Sequence, residues 1–176
     1  MPTGWPPARS GTTPGSGPFG FTFTQTGRLL TSENFGGAAL QGGAASYDVN
    51  HKDGTLTPVS GTVRNGRSDT CWIVLTDNQR YAYATNAMSN DISSYRADSR
   101  GNLTLLQSVA APADELPAPF VIPADLTLSR NSQFLYVRNV QDGDLRAFSI
   151  GSDGFLTLVQ AIPAALPNGE VGVASS

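Results

Sequence analysis

An internal repeat of a little over 50 residues constrains this sequence more than any other feature, because a fixed period is typical of repeat architectures. Three stretches of twelve residues, beginning at Phe23, Leu75 and Leu128, align without gaps at spacings of 52 and 53 residues. A second block recurs downstream of each stretch, as Gly54-Thr-Leu-Thr, Gly101-Asn-Leu-Thr and Gly154-Phe-Leu-Thr. Two blocks that recur in the same order indicate three copies of one structural unit.

Each unit contains four short apolar segments. They have four to seven residues, are rich in Val, Leu, Ile, Phe, Tyr and Thr, and are separated by Gly, Asn, Asp and Pro, which is typical of antiparallel hairpins. Composition favours the same structure, because the 176 residues include 19 glycines and 12 prolines and only 14% are charged. Four strands in a unit of about 50 residues match a propeller blade better than a solenoid repeat. The sequence therefore predicts an all-β fold, a β-propeller fragment of about three four-stranded antiparallel blades. The alternative is a single β-sandwich whose hairpins resemble one another.

The repeat also predicts how the chain is divided. Residues 18–62 form blade one, residues 63–116 blade two and residues 117–163 blade three. Residues 1–17 carry no periodic apolar pattern and are interpreted as a disordered linker or a truncated remainder. Residues 164–176 form a C-terminal tail that could supply a closing strand.

Three blades are fewer than the four to eight that closed propellers typically have, so two sheet flanks are expected to stay open. An open flank with apolar side chains is a liability that proteins cover or pair. We therefore expect that the chain belongs to a longer parent, associates with a second copy through its open blade edges, or is poorly stable alone.

The order of the strands predicts two distinct faces. In a four-stranded meander, the turns between the first and second strands and between the third and fourth strands lie at one end, which we call the hairpin face. The loops between the second and third strands and the connections between blades share the opposite end, which we call the loop face. Ligand-binding residues are expected on the loop face, because functional residues gather in loops that a rigid scaffold positions.

Charge, cysteine content and hydropathy exclude several classes of protein. The net charge of −3 is not that of a basic nucleic-acid binder. No apolar run reaches the roughly 18 residues of a membrane span, and the N-terminus lacks the apolar stretch of a secretory signal, so a cytoplasmic location is the default expectation. The single cysteine, Cys71, excludes an internal disulfide, and the single histidine, His51, excludes a multi-histidine metal site. No cofactor, metal, nucleic acid or membrane partner is predicted.

Six segments carry a resemblance to a known family. They are Pro18-Phe-Gly-Phe-Thr-Phe, Gly27-Arg-Leu-Leu-Thr-Ser-Glu, Cys71-Trp-Ile-Val-Leu-Thr, Arg80-Tyr-Ala-Tyr-Ala-Thr-Asn, Ile92-Ser-Ser-Tyr-Arg and Phe134-Leu-Tyr-Val-Arg-Asn. Together they resemble the lactonase-type β-propeller family, which includes 6-phosphogluconolactonases and carboxymuconate cyclases. The resemblance covers nearly everything after residue 17 and is to the C-terminal part of a longer seven-bladed chain. It implies hydrolysis of sugar lactones or interconversion of muconates and lactones, with a small-molecule lactone or carboxylate as the ligand.

The resemblance also implies positions for charged catalytic residues. In the family an Arg-His pair follows a Gly-Pro, a Glu follows the Asn that ends a second strand, and an Arg stands at the equivalent place one blade on. In this sequence those positions fall on Phe19 and Gly20, on Phe35 and on Ala87. The groups that would bind an anionic substrate and move its proton are absent from the matched positions. A noncatalytic propeller scaffold that binds a protein or small molecule on its loop face is therefore the alternative.

Two charged residues near the ends of second strands are the candidate catalytic residues. Glu33 is a candidate base that is displaced by one residue from the family's acidic position, and its alternative is a solvated carboxylate at the end of a strand. Arg138 lies at the end of the corresponding strand of blade three and could hold a carboxylate or a phosphate through its guanidinium group.

The candidate substrate-binding residues belong to the predicted loop face. Arg64, Arg67 and Asp69 lie in the connection between the first two blades, where a solvated loop is the alternative. Asn34 and Asn86 align with each other and with Asn139. A side chain that is repeated in this way is also explained by a hydrogen bond to the backbone of the following loop.

Overall fold

The computed structural model describes residues 15–111, 122–141 and 143–163, and these form three four-stranded antiparallel sheets. The first sheet consists of β1 (Pro18–Phe23), β2 (Leu29–Glu33), β3 (Gly43–Val49) and β4 (Leu56–Arg64). The second consists of β5 (Thr70–Leu75), β6 (Tyr81–Asn86), β7 (Asp91–Ala97) and β8 (Leu103–Ala111). The third consists of β9 (Pro123–Leu128), β10 (Phe134–Asn139), β11 (Leu145–Ile150) and β12 (Leu156–Ile162). The predicted all-β propeller fragment of about three blades is confirmed.

Each sheet is a simple meander, because strands that follow one another in sequence are neighbours in the sheet. Among the first strands, β1 contacts β5 and β5 contacts β9. Among the fourth strands, β4 contacts β8 and β8 contacts β12. The sheets therefore stand side by side as adjacent blades. Within the described ranges the one helical element is a 3-10 turn at Phe35–Gly37, in the loop between β2 and β3.

The hydrophobic core lies in the two joints between adjacent blades. Successive side chains of a strand point to opposite faces of the sheet. The strands of the middle sheet therefore contribute side chains to both joints. The joint between blades one and two contains small and aliphatic residues around Tyr95, including Leu30, Ala44, Ile73, Ala82 and Leu103. The joint between blades two and three is more aromatic and contains Tyr81, Tyr83, Ile92, Leu126, Leu135, Val137 and Phe148.

A glycine with positive φ lies in the turn between the third and fourth strands of every blade. Gly54, Gly101 and Gly154 have φ values of 74°, 84° and 88°. Residues with a Cβ atom avoid this region, whereas glycine adopts it readily. The block that recurs in the sequence around these three glycines is thus explained by the geometry of the hairpin turn.

The hairpin between β1 and β2 is one residue shorter than its counterparts. The residue pairs that close the three turns are Phe23 with Leu29, Leu75 with Ala82, and Leu128 with Leu135. Every residue of β2 is therefore shifted by one position from the ungapped sequence alignment. The alignment could not detect this, because turn residues tolerate a deletion without a change in the apolar pattern of the strands.

The shorter hairpin changes which residues are equivalent at the ends of the second strands. β2 ends at Glu33, β6 at Asn86 and β10 at Asn139. Glu33 therefore occupies the position of the two asparagines, and Asn34 lies one residue beyond the strand. The expectation that Asn34 is equivalent to Asn86 and Asn139 is wrong.

The sheets also refine the division of the chain. The predicted boundary between residues 62 and 63 falls inside β4, which pairs with β3 up to Arg64. The boundary between residues 116 and 117, residues 1–14 of the predicted linker and the predicted tail at 164–176 lie outside the described residues. Within the described ranges, no helix has the length and apolar character that a membrane span requires.

Candidate functional site

Glu33 is a buried acidic group on the loop face. It ends β2, and its residue is only 1% exposed. Its carboxylate accepts a hydrogen bond of 2.6 Å from the hydroxyl group of Thr62 on β4. Burial raises the pKa of Glu33 above its ordinary value of 4.5, and the Thr62 hydroxyl, the Gly15 backbone and the charge of Arg64 offset only part of this rise. The alternative of a solvated carboxylate at the end of a strand is wrong.

Arg64 supplies a positive charge next to this carboxyl group. It ends β4, is exposed, and lowers the pKa of Glu33 through its charge. Its guanidinium carbon lies 3.8 Å from the centroid of the Phe35 ring, which is a cation–π contact. The same guanidinium group donates a hydrogen bond to the backbone carbonyl of Gln41. Arg64 is therefore held against the loop between β2 and β3 while its charge stays accessible to solvent.

Asn34 has a local structural role. Its side-chain oxygen accepts a hydrogen bond of 2.9 Å from the backbone N–H of Gly36 and caps the 3-10 turn at Phe35–Gly37. This contact is the hydrogen bond to the following loop that the sequence suggested for this residue type.

Asn86 lies at the centre of a buried polar network between blades one and two. Its side-chain oxygen accepts hydrogen bonds from Asn65 at 3.0 Å and Thr70 at 2.7 Å. Its side-chain nitrogen donates to Asp91 at 2.7 Å and to Ser93 at 2.8 Å. Because Asn86 is fully buried and both ends of its amide are engaged, it holds the connection at residue 65 onto the second sheet.

Arg67 completes this network through an ion pair with Asp91. The side chain of Asp91 is 2% exposed and that of Arg67 is 27% exposed, so the pair lies just beneath the surface of the loop face. Burial raises the pKa of Asp91, while the hydrogen bonds from Arg67 and Asn86 act in the opposite direction. Arg67 is therefore already bound to a carboxylate of its own chain.

Blade three repeats the same arrangement with an arginine of its own sheet. The Asn139 side chain donates to Asp144, and the Arg146 Nε donates to the other oxygen of Asp144 at 2.7 Å. Arg138, the candidate in this blade, is fully buried and donates to the backbone carbonyl of Asn139. Asn139 and Asp144 are five residues apart, as are Asn86 and Asp91, and this shared spacing is the signal by which the sequence could have revealed both pairs.

Asp69 contributes a bend and a hydrogen bond through its backbone. It has a positive φ of 58°, and its carbonyl oxygen accepts a hydrogen bond of 2.9 Å from the backbone N–H of Ala87. The bend at this residue joins the connection between the blades to the loop that follows β6.

The structure brings some of the candidates together and separates others. Glu33 and Arg64 are electrostatic neighbours on blade one, and Arg67 is joined to Asn86 through Asp91. Glu33 and Arg138 lie in different sheets: Glu33 accepts a hydrogen bond from Thr62 of blade one, and Arg138 donates to the backbone of Asn139 in blade three. Glu33 and Arg64 are therefore an acid and a cation from the candidate set that lie near each other on the loop face. Among the described residues, no group of three or more His, Cys, Asp or Glu side chains is placed to hold a metal ion.

Two cavities accompany these residues. A small cavity of about 10 Å³ between blades two and three is lined by Asp91, Asn139 and Arg146. A wider cleft of about 320 Å³ lies between blades one and two and is lined by hairpin-face residues that include Arg28, Arg80 and Asp98. The wider cleft is thus on the face opposite the one that the sequence predicted for a ligand.

Comparison with known proteins agrees with the sheet architecture. Residues 46–167, more than half of the chain, match the sequence model of the family described as "Lactonase, 7-bladed beta-propeller". No match is found among curated proteins.

Solved structures show the same fold. A candidate 6-phosphogluconolactonase from Bacteroides uniformis superimposes with a TM-score of 0.70 at 16% identity, over 92% of this chain and 48% of that one. The periplasmic gluconolactonase PpgL of Pseudomonas aeruginosa superimposes with a TM-score of 0.63 at 20% identity, over 88% of this chain and 44% of that one. A protein from Lactobacillus plantarum superimposes with a TM-score of 0.62 at 24% identity, over 84% of this chain and 44% of that one. This chain spans less than half the length of each of these structures. On the match to its sequence model, the chain belongs to the lactonase family of seven-bladed β-propellers.

Proposed function

We propose that the chain provides a site for the hydrolysis of sugar lactones, of the 6-phosphogluconolactone type, on its loop face. The observation that carries this proposal is the buried Glu33 carboxyl group beside the exposed Arg64 guanidinium group. Membership of the lactonase family supports the choice of substrate class. The candidate 6-phosphogluconolactonase and the gluconolactonase among the similar structures support it as well.

Glu33 has the properties of a general base. A carboxyl group whose pKa is raised by burial is a better proton acceptor near neutral pH than an exposed carboxylate. In the proposed reaction, Glu33 accepts a proton from water while the water oxygen bonds to the lactone carbonyl carbon. The ring C–O bond then breaks, and Glu33 returns the proton to the departing ring oxygen. The product is the open-chain hydroxy acid.

Arg64 is the best-placed residue to hold an anionic group of the substrate. A guanidinium group binds carboxylate or phosphate oxygens in a two-pronged geometry. Arg67 pairs with Asp91, and Arg138 is fully buried, whereas Arg64 is exposed at the edge of the loop face. Of the arginines suggested by the sequence, Arg64 is therefore the one that we assign to the substrate's phosphate or carboxylate.

The test is turnover of a panel of lactones above the spontaneous hydrolysis rate. We expect 6-phosphogluconolactone to be hydrolysed faster than unphosphorylated gluconolactone, because only the former presents a phosphate to Arg64. Arg64→Met should remove this preference and leave the rate with the unphosphorylated lactone little changed. Absence of turnover with every lactone would contradict the proposal.

A noncatalytic scaffold is the second candidate function, and the polar network around Asn86 favours it. Asn65, Thr70, Asn86, Asp91 and Arg67 are bonded to one another, so this part of the loop face is fixed without a ligand. A scaffold would bind a lactone or its hydroxy acid without turnover. Calorimetric titration with the hydroxy acid, combined with the turnover assay, distinguishes the two functions.

A further inference from the structure

The hairpin-face cleft between blades one and two has the size of a site for a small ligand. Its volume of about 320 Å³ lies within the range of about 300–1,000 Å³ that is usual for such pockets. Residues from three hairpin turns line it, those between β1 and β2, between β5 and β6, and between β7 and β8. The cleft lies on the face opposite Glu33 and Arg64, so it is separate from the proposed hydrolytic site.

Arg28 leaves a space open that a tyrosine fills at the next joint. Because the first hairpin is one residue shorter, Arg28 corresponds to Tyr81. The Tyr81 side chain lies against Gly154, donates to the carbonyl oxygen of Ser152 at 2.9 Å and is 3% exposed. Arg28 lies against the corresponding Gly101, but its side chain is 19% exposed. The slender arginine side chain therefore lines a cleft and contributes a positive charge to it.

The Arg28 guanidinium group is held at one edge. Its Nε donates to the Asp48 carboxylate at 2.7 Å, and Asp48 is not part of the cleft lining. Its Nη1 has only a long contact of 3.5 Å with the carbonyl oxygen of Ser99. Because a guanidinium group carries five N–H donors, the Nη groups keep donors for a ligand while Asp48 fixes the side chain.

Arg80 supplies a second positive charge to the cleft lining. It is exposed, and no carboxylate among the described residues lies within ion-pair distance of it. Its guanidinium carbon is 5.6 Å from the centroid of the Tyr81 ring, and that of Arg96 is 5.7 Å from the same centroid. The corresponding residue in blade three is Gln133, so the hairpin turn itself does not require an arginine here.

Two amide side chains in the lining also present donors. The Asn78 Oδ1 accepts from the Arg80 backbone N–H at 3.0 Å and from the Thr76 hydroxyl group at 2.8 Å. The Gln79 Oε1 accepts from the Gln25 backbone N–H at 3.2 Å. A backbone N–H can only donate, so these contacts fix which end of each amide is the oxygen. Neither NH₂ group donates to another described residue, and both are available to a ligand.

The acid of the lining, Asp98, is already satisfied within its own turn. One of its carboxylate oxygens accepts from the backbone N–H groups of Arg100 and Asn102 at 2.8 and 2.9 Å. The other accepts from the Asn102 side chain at 2.8 Å. The acceptors of Asn78, Gln79 and Asp98 are therefore engaged inside the protein, whereas the guanidinium and amide donors face a ligand. Such a lining suits a group that is anionic and rich in acceptors.

We propose that this cleft binds a small phosphate monoester, with the phosphate group between Arg28 and Arg80 and beside the amides of Asn78 and Gln79. A phosphate group offers three acceptor oxygens and a charge near −2, which match four donor groups better than the two oxygens of a carboxylate do. The phosphate fills only part of the cleft. The Ser99 hydroxyl group also lines it, so the organic body of the ligand is expected to carry hydroxyl groups, as a sugar does.

The test is calorimetric titration of the full chain with glucose 6-phosphate as the probe, and with inorganic phosphate, gluconate and glucose for comparison. We expect glucose 6-phosphate to bind at least about tenfold more tightly than gluconate or glucose, because only the phosphate engages all four donor groups. Inorganic phosphate should bind more weakly than glucose 6-phosphate, since it leaves the rest of the cleft empty. Gluconate that binds as tightly as glucose 6-phosphate would overturn the assignment of a phosphate ligand.

Two variants remove donors without removing contacts that hold the turn. Arg80→Gln introduces the residue type of Gln133 and should weaken binding of glucose 6-phosphate by at least about tenfold. Asn78→Asp keeps the oxygen that accepts from Thr76 but replaces the NH₂ donor with a charged oxygen, and a similar loss is expected. Asn131→Asp is the matched control, because Asn131 caps the equivalent turn of blade three. It should leave the dissociation constant within about twofold.

Arg64→Met separates the two faces of the blades. Binding of glucose 6-phosphate should be unchanged in this variant, because Arg64 lies on the loop face. Loss of binding in Arg64→Met but not in Arg80→Gln would overturn the proposal and assign the probe to the loop face. Equal weakening by Asn78→Asp and Asn131→Asp, in variants that circular dichroism shows to be folded, would also overturn it. So would the absence of binding to the folded, unmodified chain.

Discussion

The Glu33 carboxylate and the Thr62 hydroxyl group form a hydrogen bond of 2.6 Å, although β3 lies between the strands that carry them. The residue of β3 that pairs with Glu33 is Gly43. A Cβ atom at this position would lie 2.8 Å from the Thr62 Cγ2 atom and 2.9 Å from the Val63 carbonyl oxygen. The missing side chain therefore allows the carboxyl and hydroxyl groups to meet across the strand.

Gly43→Ala is expected to lower the free energy of unfolding by about 1–3 kcal/mol, which is the usual cost of overpacking a close contact. Urea unfolding measures this loss. In a Thr62→Ser background the loss should be smaller, because serine lacks the Cγ2 atom that the new methyl group would strike. An equal or larger loss in that background would contradict the assigned contact.

Glu33 is expected to make the stability of the fold depend on pH. Burial raises the pKa of Glu33 in the folded state, so its contribution to stability is fully present below the unfolded value of 4.5. That contribution is lost as the pH rises from 4.5 through the raised pKa, because the folded state holds the proton more tightly than the unfolded state does. Glu33→Gln should flatten this part of the stability–pH curve. An unchanged curve would show that the carboxyl group is not buried.

Asn86 and Asn34 should differ sharply in their contribution to stability. Asn86→Ala is expected to lower the free energy of unfolding by about 2–4 kcal/mol, because it leaves buried partners such as Asp91 and Asn65 without their hydrogen bonds. Asn34→Ala removes a cap on an exposed turn and should cost about 1 kcal/mol. Equal losses, measured by chemical denaturation, would contradict the buried network.

Cys71 should be unreactive in the folded protein. Burial and the nearby charge of Asp69 raise the pKa of its thiol to about 12, so little thiolate is present at pH 8. We expect an aromatic disulfide reagent to label the native protein slowly and the urea-unfolded protein at the rate of a free thiol. Fast labelling of the native protein would contradict the buried position of Cys71.

The architecture follows from the sequence because the same blocks must form the same hairpins wherever they recur. The Gly54, Gly101 and Gly154 blocks form turns of one kind, and the strands between them form three meanders. Burial of Glu33 could not be predicted in the same way. It depends on a turn that is one residue shorter, on the absent side chain of Gly43 and on Thr62, which is 29 residues away.

A local sequence pattern also could not predict that Arg67 pairs with Asp91. The two residues are 24 positions apart: Arg67 lies in the connection before β5, whereas Asp91 begins β7. Sequence placed Arg67 on the loop face but offered no information on which group would hold it. Arg64 and Arg67 are near neighbours in the chain, and only the three-dimensional contacts show that one is exposed and the other pairs with a buried acid.

The rate of hydrolysis of 6-phosphogluconolactone by Glu33→Gln, relative to the unmodified chain, tests the proposed base most directly. Glutamine can keep the hydrogen bond to Thr62 but cannot accept the proton, so kcat should fall by about 100-fold or more while the fold remains. Asp77→Asn, at an exposed carboxylate on the hairpin face, is the matched control and should keep full activity. Equal activity of Glu33→Gln and the unmodified chain, or no hydrolysis by either, would contradict a lactone-hydrolysing site at Glu33.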